Sequence, residues 1–174
     1  LLSFVLTLYL FMTPLLENTG FALPFKSNPF KHNLGWNQIS HALKEAGYQP
    51  DKHFLFAPKY QTVSLLTFYG PDQKKAYFFN LYGARLNQFS FWEGMREEQI
   101  GHDGFFAVVE NRPHIEEERK KMNQTIKDLD PYFQKVSFIG EYPLYQSKEG
   151  AMKTVFLFFA EKYNGKEPLF AEKY

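Results

Sequence analysis

The sequence contains no cysteine among its 174 residues. Disulfide bonds, cysteine-ligated zinc or iron–sulfur sites and thiol nucleophiles are therefore excluded, although the compartment stays open because a domain with an adequate core needs no disulfide. An excess of charge of one sign is also missing, since 20 Lys and Arg face 19 Asp and Glu. A net charge of +1 provides no electrostatic footprint for nucleic acid, so we expect no nucleic-acid partner.

The common catalytic and cofactor signatures are missing as well. No GxGxxG follows the first predicted strand, and GxxxxGK[ST], HExxH and GxSxG do not occur, which argues against a standard nucleotide site, a zincin and a hydrolase nucleophile. His114 and Glu118 are four residues apart, as metal ligands on one helix face can be, but no third ligand accompanies them. The sequence therefore assigns no catalytic residue, no metal ligand and no cofactor.

Aromatic residues are abundant instead, at 19% of the chain, with 20 Phe and 11 Tyr. Hydrophobic residues make up 44%, enough for a buried core. We expect most of the rings to form that core rather than to stack on bases or sugars.

Residues 1–16 contain no charged residue, whereas every later stretch of that length contains at least one. A helix of this length covers roughly 24 Å of a ~30 Å hydrocarbon core, so the run predicts the end of a transmembrane helix that begins upstream. Two alternatives stay open. A signal peptide would use Gly20-Phe21-Ala22 for cleavage but lacks its basic region, and a buried core helix would not be apolar all round.

The flank of this run predicts the side of the membrane. Glu17 and Asn18 follow directly, and the first basic residue is Lys26. Because Lys and Arg gather on the cytoplasmic side, the following domain is expected outside the cytoplasm.

The remaining chain predicts a linker over residues 17–35, an α/β domain over 36–163 and a tail over 164–174. Apolar spacing predicts helices at 36–46, 60–69 and 115–129, and strands at 53–57, 76–80, 104–109, 134–145 and 152–163. Strand, helix and strand in close succession predict parallel pairing, and the last two strands predict an antiparallel hairpin around 146–150. The expected fold is a three-layer, Rossmann-like α/β domain with a mixed, mainly parallel sheet that ends in this hairpin.

A ligand site is expected beyond the carboxyl ends of the parallel strands, where open α/β sheets bind ligands. The side chains there with hydrogen-bonding groups or rings suited to a sugar or a phosphate are Tyr60, Gln61, Arg85, Asn87, Gln88 and Trp92. The alternative is that these side chains tie their loop to the sheet and the neighbouring chain.

Several short motifs resemble one known family. They are Leu34-Gly35-Trp36, Phe56 to Gln61, Leu66 to Gly70, Gly83 to Phe89, and Phe91-Trp92. In this order they resemble the C-terminal soluble region of bacterial membrane glycosyltransferases of the dolichyl-phosphate-mannose protein mannosyltransferase type, in the GT-C superfamily. The chain departs from the family at Pro58-Lys59, where an acidic-basic pair is usual, and at Phe89, where Tyr is usual.

The resemblance implies transfer of a sugar from a polyprenyl-phosphate donor to a glycan or lipid acceptor, with a catalytic Asp upstream of this chain. It implies an inner-membrane protein whose α/β domain lies on the periplasmic side. The implied partners are the lipid bilayer, the donor, the acceptor and an N-terminal membrane domain. The alternative is a membrane-tethered or secreted α/β binding module without enzymatic activity, and the reading frame upstream of Leu1 distinguishes the two.

We expect the full chain to stay with membranes after an alkaline carbonate wash, because residues 1–16 are uncharged and apolar. A shortened chain that begins at Pro24 should be soluble. Sedimentation of both chains after the wash measures the difference. Release of the full chain, or aggregation of the short one through loss of a core helix, would contradict a membrane anchor.

Overall fold

The computed structural model describes residues 3–5, 7–9, 11–12, 28, 30–85, 88–91, 93–111, 115–147 and 150–168. The chain divides into two compact units, Leu1–Leu34 and Gly35–Tyr174.

The first unit is helical at its described N-terminal residues, where the Thr7 hydroxyl donates to the Ser3 carbonyl at 2.9 Å. The side chains of Phe4 and Phe11 are 70% and 73% exposed. Further along, the Phe30 amide donates to Asn28 Oδ1 at 2.8 Å and opens a turn. In the described part of the chain no helix is both long enough and apolar enough to span a membrane. The membrane anchor stays a prediction, and most of the predicted linker lies outside the described residues.

The second unit contains four helices and five strands among its described residues, besides short 3₁₀ turns. In chain order they are α1 (Ile39–Glu45), β1 (His53–Ala57), α2 (Tyr60–Tyr69), β2 (Ala76–Phe78), α3 (Met95–Glu98), β3 (Asp103–Asn111), α4 (Ile115–Leu129), β4 (Phe133–Ser147) and β5 (Gly150–Tyr163). The predicted bounds of β1, α2 and α4 are confirmed.

The five strands form one mixed sheet in the order β2-β1-β3-β5-β4. Strand β1 is parallel to both β2 and β3, with Leu55 opposite Ala76 and also opposite Phe105. Strand β5 is antiparallel to both β3 and β4. The mixed sheet and the final hairpin are confirmed. The expectation of a mainly parallel sheet is corrected, because the antiparallel strands β4 and β5 are 15 and 14 residues long whereas the parallel strand β2 has only 3 residues.

Other predicted bounds also need correction. The strand predicted at 76–80 ends at Phe78, because the Asn80 side chain closes a turn on Ala84. Its Nδ2 donates to the Ala84 carbonyl at 2.8 Å, and its Oδ1 accepts from the Ala84 backbone amide. Strand β3 is longer than 104–109 because β5 continues to pair with it up to Asn111. The two hairpin strands likewise extend past 134–145 and 152–163, since each continues the other's ladder. The helix predicted at 36–46 begins with a 3₁₀ turn, and α3 was not predicted.

The side chains of the strands alternate between two buried hydrophobic clusters. The mixed cluster receives Leu55, Ala57, Phe105, Ala107, Val155 and Leu157 from the strands, together with Ile39 and Leu43 of α1 and Val63 and Leu66 of α2. The ring cluster consists mostly of aromatic side chains and also holds two α4 residues, its main members being Phe54, Phe56, Tyr77, Phe79, Phe106, Phe133, Phe156, Phe158, Tyr163, Met122 and Leu129.

Phe56 lies at the centre of the ring cluster and is 0% exposed. Its ring centroid is 5.0 Å from that of Phe106, 5.2 Å from Phe133 and 5.6 Å from Phe79. The cluster leaves no room beside Gly104, where an added Cβ would lie 2.6 Å from the Phe54 ring. The expected aromatic core is therefore present and tightly packed on this face of the sheet.

We expect Phe56→Ala to lower the free energy of unfolding by about 3 to 5 kcal/mol, because it removes a ring from a closed cluster. Phe68→Ala is the matched control, since Phe68 is 63% exposed on α2, and it should change stability by less than about 0.5 kcal/mol. Urea unfolding followed by circular dichroism measures both. A loss for Phe56→Ala below about 0.5 kcal/mol, the limit expected for the control, would contradict close packing around Phe56.

Candidate functional site

A cleft of about 270 Å³ lies at the carboxyl ends of β1 and β3. We call it the carboxyl-edge cleft. Its polar lining comes from the segments that follow β1 and β2, from β3, and from the facing helix α4. The polar residues are Lys59, Tyr82, Glu110, Glu118, Lys121 and Thr125, and the apolar ones are Pro58, Val108, Met122, Phe156 and Phe158.

The first ion pair of the cleft joins two strand ends. Lys59 follows β1 and caps the start of α2, and Glu110 is near the end of β3. Lys59 Nζ lies 3.2 Å from Glu110 Oε1, although the two residues are 51 positions apart. Parallel pairing of β1 and β3 produces this contact, because both strands then end at the same edge of the sheet.

Helix α4 supplies the opposite wall. Glu118, Lys121, Met122 and Thr125 follow helical spacing and so share one face. Lys121 Nζ donates to Glu118 Oε1 at 2.7 Å, and this bond raises the pKa of Lys121. The Tyr82 hydroxyl lies 3.4 Å from Thr125 Oγ1. Burial raises the pKa of Tyr82, with the Thr125 hydroxyl acting in the opposite direction, so Tyr82 stays protonated at neutral pH.

The floor of the cleft belongs to the hydrophobic core. Phe156 and Phe158 are each 1% exposed, and Met122 is 7% exposed. The cleft therefore combines an apolar floor with a rim of two ammonium groups, two carboxylates and two hydroxyls. Such a lining suits an amphipathic ligand whose polar group carries hydroxyls or a phosphate.

Two buried oxygens of the described residues have no hydrogen-bond partner, and both belong to the same sheet face as Phe156. Thr154 pairs with Glu110 in the ladder, and its Oγ1 is unpartnered. Glu141 receives a bond from Arg119 at 3.2 Å on Oε1 but nothing on Oε2. Unsatisfied buried oxygens are uncommon, and neither of these two belongs to a residue that lines the cleft.

The six residues predicted to bind a ligand have different positions. The Tyr60 ring stacks on Phe89, with centroids 6.5 Å apart, which brings the start of α2 to the 3₁₀ turn at Gln88–Phe91. Gln61, Arg85 and Gln88 are exposed, and Asn87 and Trp92 lie outside the described residues. None of the six lines the carboxyl-edge cleft as described, and ligand binding by them stays a prediction.

The loop after β2 is also held by two hydrogen bonds that the sequence did not predict. Asn80 is 4% exposed and holds Ala84 through both of its side-chain groups. The spacing of His114 and Glu118, from which the sequence assigns no metal site, is not tested, because His114 lies outside the described residues. Elsewhere in the described chain, no three His, Asp or Glu side chains are grouped as a metal site would need.

Sequence reasoning missed Lys153, which is 2% exposed within β5. It is opposite Asn111 of β3 and Tyr145 of β4, and its Nζ lies 5.4 Å from the Trp36 ring centroid. Burial lowers the pKa of Lys153 to about 8. A signal was present, because Lys153 and Thr154 are the only polar pair within the apolar run from Met152 to Phe159.

Comparison with known proteins assigns this chain to no family, since no family model, no curated protein and no solved structure matches it. The family resemblance stated above therefore depends on the quoted motifs alone.

We expect Lys153→Met to raise the free energy of unfolding at pH 7 by roughly 1 to 2 kcal/mol, since the cation–π contact offsets part of the desolvation cost. The stability advantage of Lys153→Met over the wild type should shrink as the pH rises from about 8 toward the usual lysine pKa. In that range the unfolded wild-type chain holds the Lys153 proton and the folded one has released it, so wild-type stability rises relative to the variant.

Urea titrations at several pH values measure this difference, with Lys135→Met as the control on the neighbouring strand. Lys135 is exposed and pairs with Glu161 at 3.6 Å, so its replacement should change stability only slightly. A Lys153→Met variant that is less stable than wild type at pH 7 would contradict the prediction.

Proposed function

We propose that this chain is the C-terminal extracytoplasmic domain of a polytopic membrane glycosyltransferase that uses a polyprenyl-phosphate sugar donor. The observation that carries the proposal is the carboxyl-edge cleft, with its apolar floor and its charged and hydroxylated rim. The motifs between Leu34 and Trp92 and the uncharged run at residues 1–16 support it independently.

We propose further that the domain is a three-layer, Rossmann-like unit preceded by the end of a transmembrane helix. Residues of α1 and α2 in the mixed cluster and residues of α4 in the ring cluster support the layered arrangement, because the strands alternate between these two clusters. The exposed apolar side chains of Phe4 and Phe11 support the membrane segment.

In this proposal the cleft positions a substrate and does not break its bonds. The ammonium groups of Lys59 and Lys121 hold a phosphate or a hydroxyl, and Glu110 and Glu118 accept sugar hydroxyls. Both carboxylates are already paired with a lysine, at 3.2 and 2.7 Å, an arrangement that suits binding better than proton abstraction. The carboxylate that accepts the acceptor's proton, and the cations at the departing lipid phosphate, then belong to the upstream membrane domain.

A non-enzymatic binding module is the second candidate, and the same paired carboxylates favour it. Such a module needs the cleft for recognition but no upstream catalytic part. The two candidates differ in whether the complete natural polypeptide transfers sugar.

The test is a transfer assay in membranes that hold the complete natural polypeptide, with a panel of radiolabelled polyprenyl-phosphate hexoses. We expect transfer by the complete polypeptide and none by residues 1–174 alone. Lys59→Ala should lower transfer by about tenfold, because it removes a charged hydrogen bond to the ligand. Arg85→Ala and Asn87→Ala should also lower transfer while leaving the melting temperature nearly unchanged if the predicted loop binds the same ligand.

Lys135→Ala is the matched control, because Lys135 belongs to an exposed ion pair outside the cleft. Since the Lys59–Glu110 pair is half-exposed, its loss should leave folding intact. Complete polypeptide that binds the donor without transferring sugar would favour the binding module. Turnover by residues 1–174 alone would move the chemistry to Glu110 or Asp103, and neither binding nor transfer would refute both candidates.

A further inference from the structure

A second cleft of about 270 Å³ lies at the opposite edge of the sheet, where β1, β2 and β3 begin. We call it the amino-edge cleft. Each of the three parallel strands brings basic residues to it from the segment just before the strand or from its first position. They are Lys52 and His53 at β1, Lys74 and Lys75 at β2, and His102 at β3.

The charge of the amino-edge cleft is predominantly positive. Asp51 is the one acidic residue among its described lining residues, against three lysines. Asp51 is 90% exposed at its side chain and lies 3.6 Å from Lys74 Nζ, a weak surface pair. Lys75 is held by Glu98 and by the Glu93 carbonyl. Lys52 has no ion-pair partner in the described part of the chain.

His53 adds a neutral hydrogen-bond donor to the lining of the cleft. Its Nδ1 accepts the Gln49 amide at 3.1 Å, so the neutral ring carries its proton on Nε2. Burial lowers the pKa of His53, Asp103 acts in the opposite direction, and Lys52 lowers it further. The imidazole is therefore neutral at pH 7 and is fixed in the tautomer that donates from Nε2.

An apolar wall completes the site. Tyr48 is 4% exposed and Phe54 is 5% exposed, and both line the cleft together with Pro50. The Tyr48 ring is locked edge-on against Phe105 at 5.6 Å, so this wall is part of the core and is present before any ligand binds.

We propose that the amino-edge cleft binds a small soluble phosphate monoester, whose phosphate is held by Lys52, Lys74 and His53 Nε2 and whose organic part lies against Tyr48 and Phe54. A phosphate dianion matches two ammonium groups and one neutral donor in charge and in number of acceptors. The apolar wall favours an ester over inorganic phosphate. The proposal concerns a different edge from the carboxyl-edge cleft and does not depend on the glycosyltransferase proposal.

The test is isothermal titration calorimetry of the full chain in mild detergent, with phenyl phosphate and inorganic phosphate as probes. We expect phenyl phosphate to bind more tightly than inorganic phosphate. The double variant Lys52→Gln, Lys74→Gln should lower its affinity by about tenfold or more. The control Lys127→Gln, Lys135→Gln removes the same charge elsewhere and should leave affinity unchanged. Because all four lysines are exposed, both double variants should fold, which thermal unfolding verifies.

Three results would overturn the proposal. If phenyl phosphate does not bind measurably, the proposed site does not exist. If the control double variant loses as much affinity as the Lys52, Lys74 variant, net charge alone attracts the probe. Binding only to phosphatidylcholine vesicles that contain phosphatidic acid, with none to phenyl phosphate, would assign the basic groups to a lipid headgroup instead of a soluble ester. Vesicles of phosphatidylcholine alone correct for insertion of the apolar N-terminal segment.

Discussion

The two-residue alternation of strands that are buried on both faces is the constraint on which the rest of this structure depends. In β1, Phe54 and Phe56 enter the ring cluster while Leu55 and Ala57 enter the mixed cluster. The same alternation recurs in β3 and β5, and most of the strand rings enter the ring cluster, although Phe105 enters the mixed cluster. A slip of one residue would exchange the faces of a whole strand, so the alternation excludes a one-residue shift of β1 between its two parallel neighbours.

Both clefts follow from that parallel pairing. Parallel strands begin together and end together, so residues at the carboxyl ends of β1 and β3 meet at one edge and residues at the amino ends of β1, β2 and β3 meet at the other. Lys59 and Glu110 meet at the carboxyl edge, and Lys52 and Lys74 meet at the amino edge. The antiparallel hairpin contributes the floor of the carboxyl-edge cleft through Phe156 and Phe158, which are anchored in the core.

Local pattern was sufficient wherever neighbouring residues decide the structure. Helix α4 has the i,i+4 charge pairs and the acidic first turn that favour a helix by themselves, and its bounds were predicted correctly. Strand β2 was overestimated because Phe79 and Asn80 look like strand residues until the Asn80 side chain closes a turn on Ala84. The share of antiparallel pairing was underestimated because periodicity gives the length of a strand only approximately and does not give its partner.

The sequence alone determined the composition of the core, the absence of cysteine chemistry, the positions of most helices and strands, and the parallel start and antiparallel end of the sheet. It also led to the prediction of a ligand site at the carboxyl edge, but with side chains other than those that line the cleft there. Only the tertiary structure placed Lys59 against Glu110, buried Lys153 beneath Trp36, and grouped the basic residues at the amino edge. These contacts join residues distant in the chain, and strand order and register, which no local pattern specifies, bring them together.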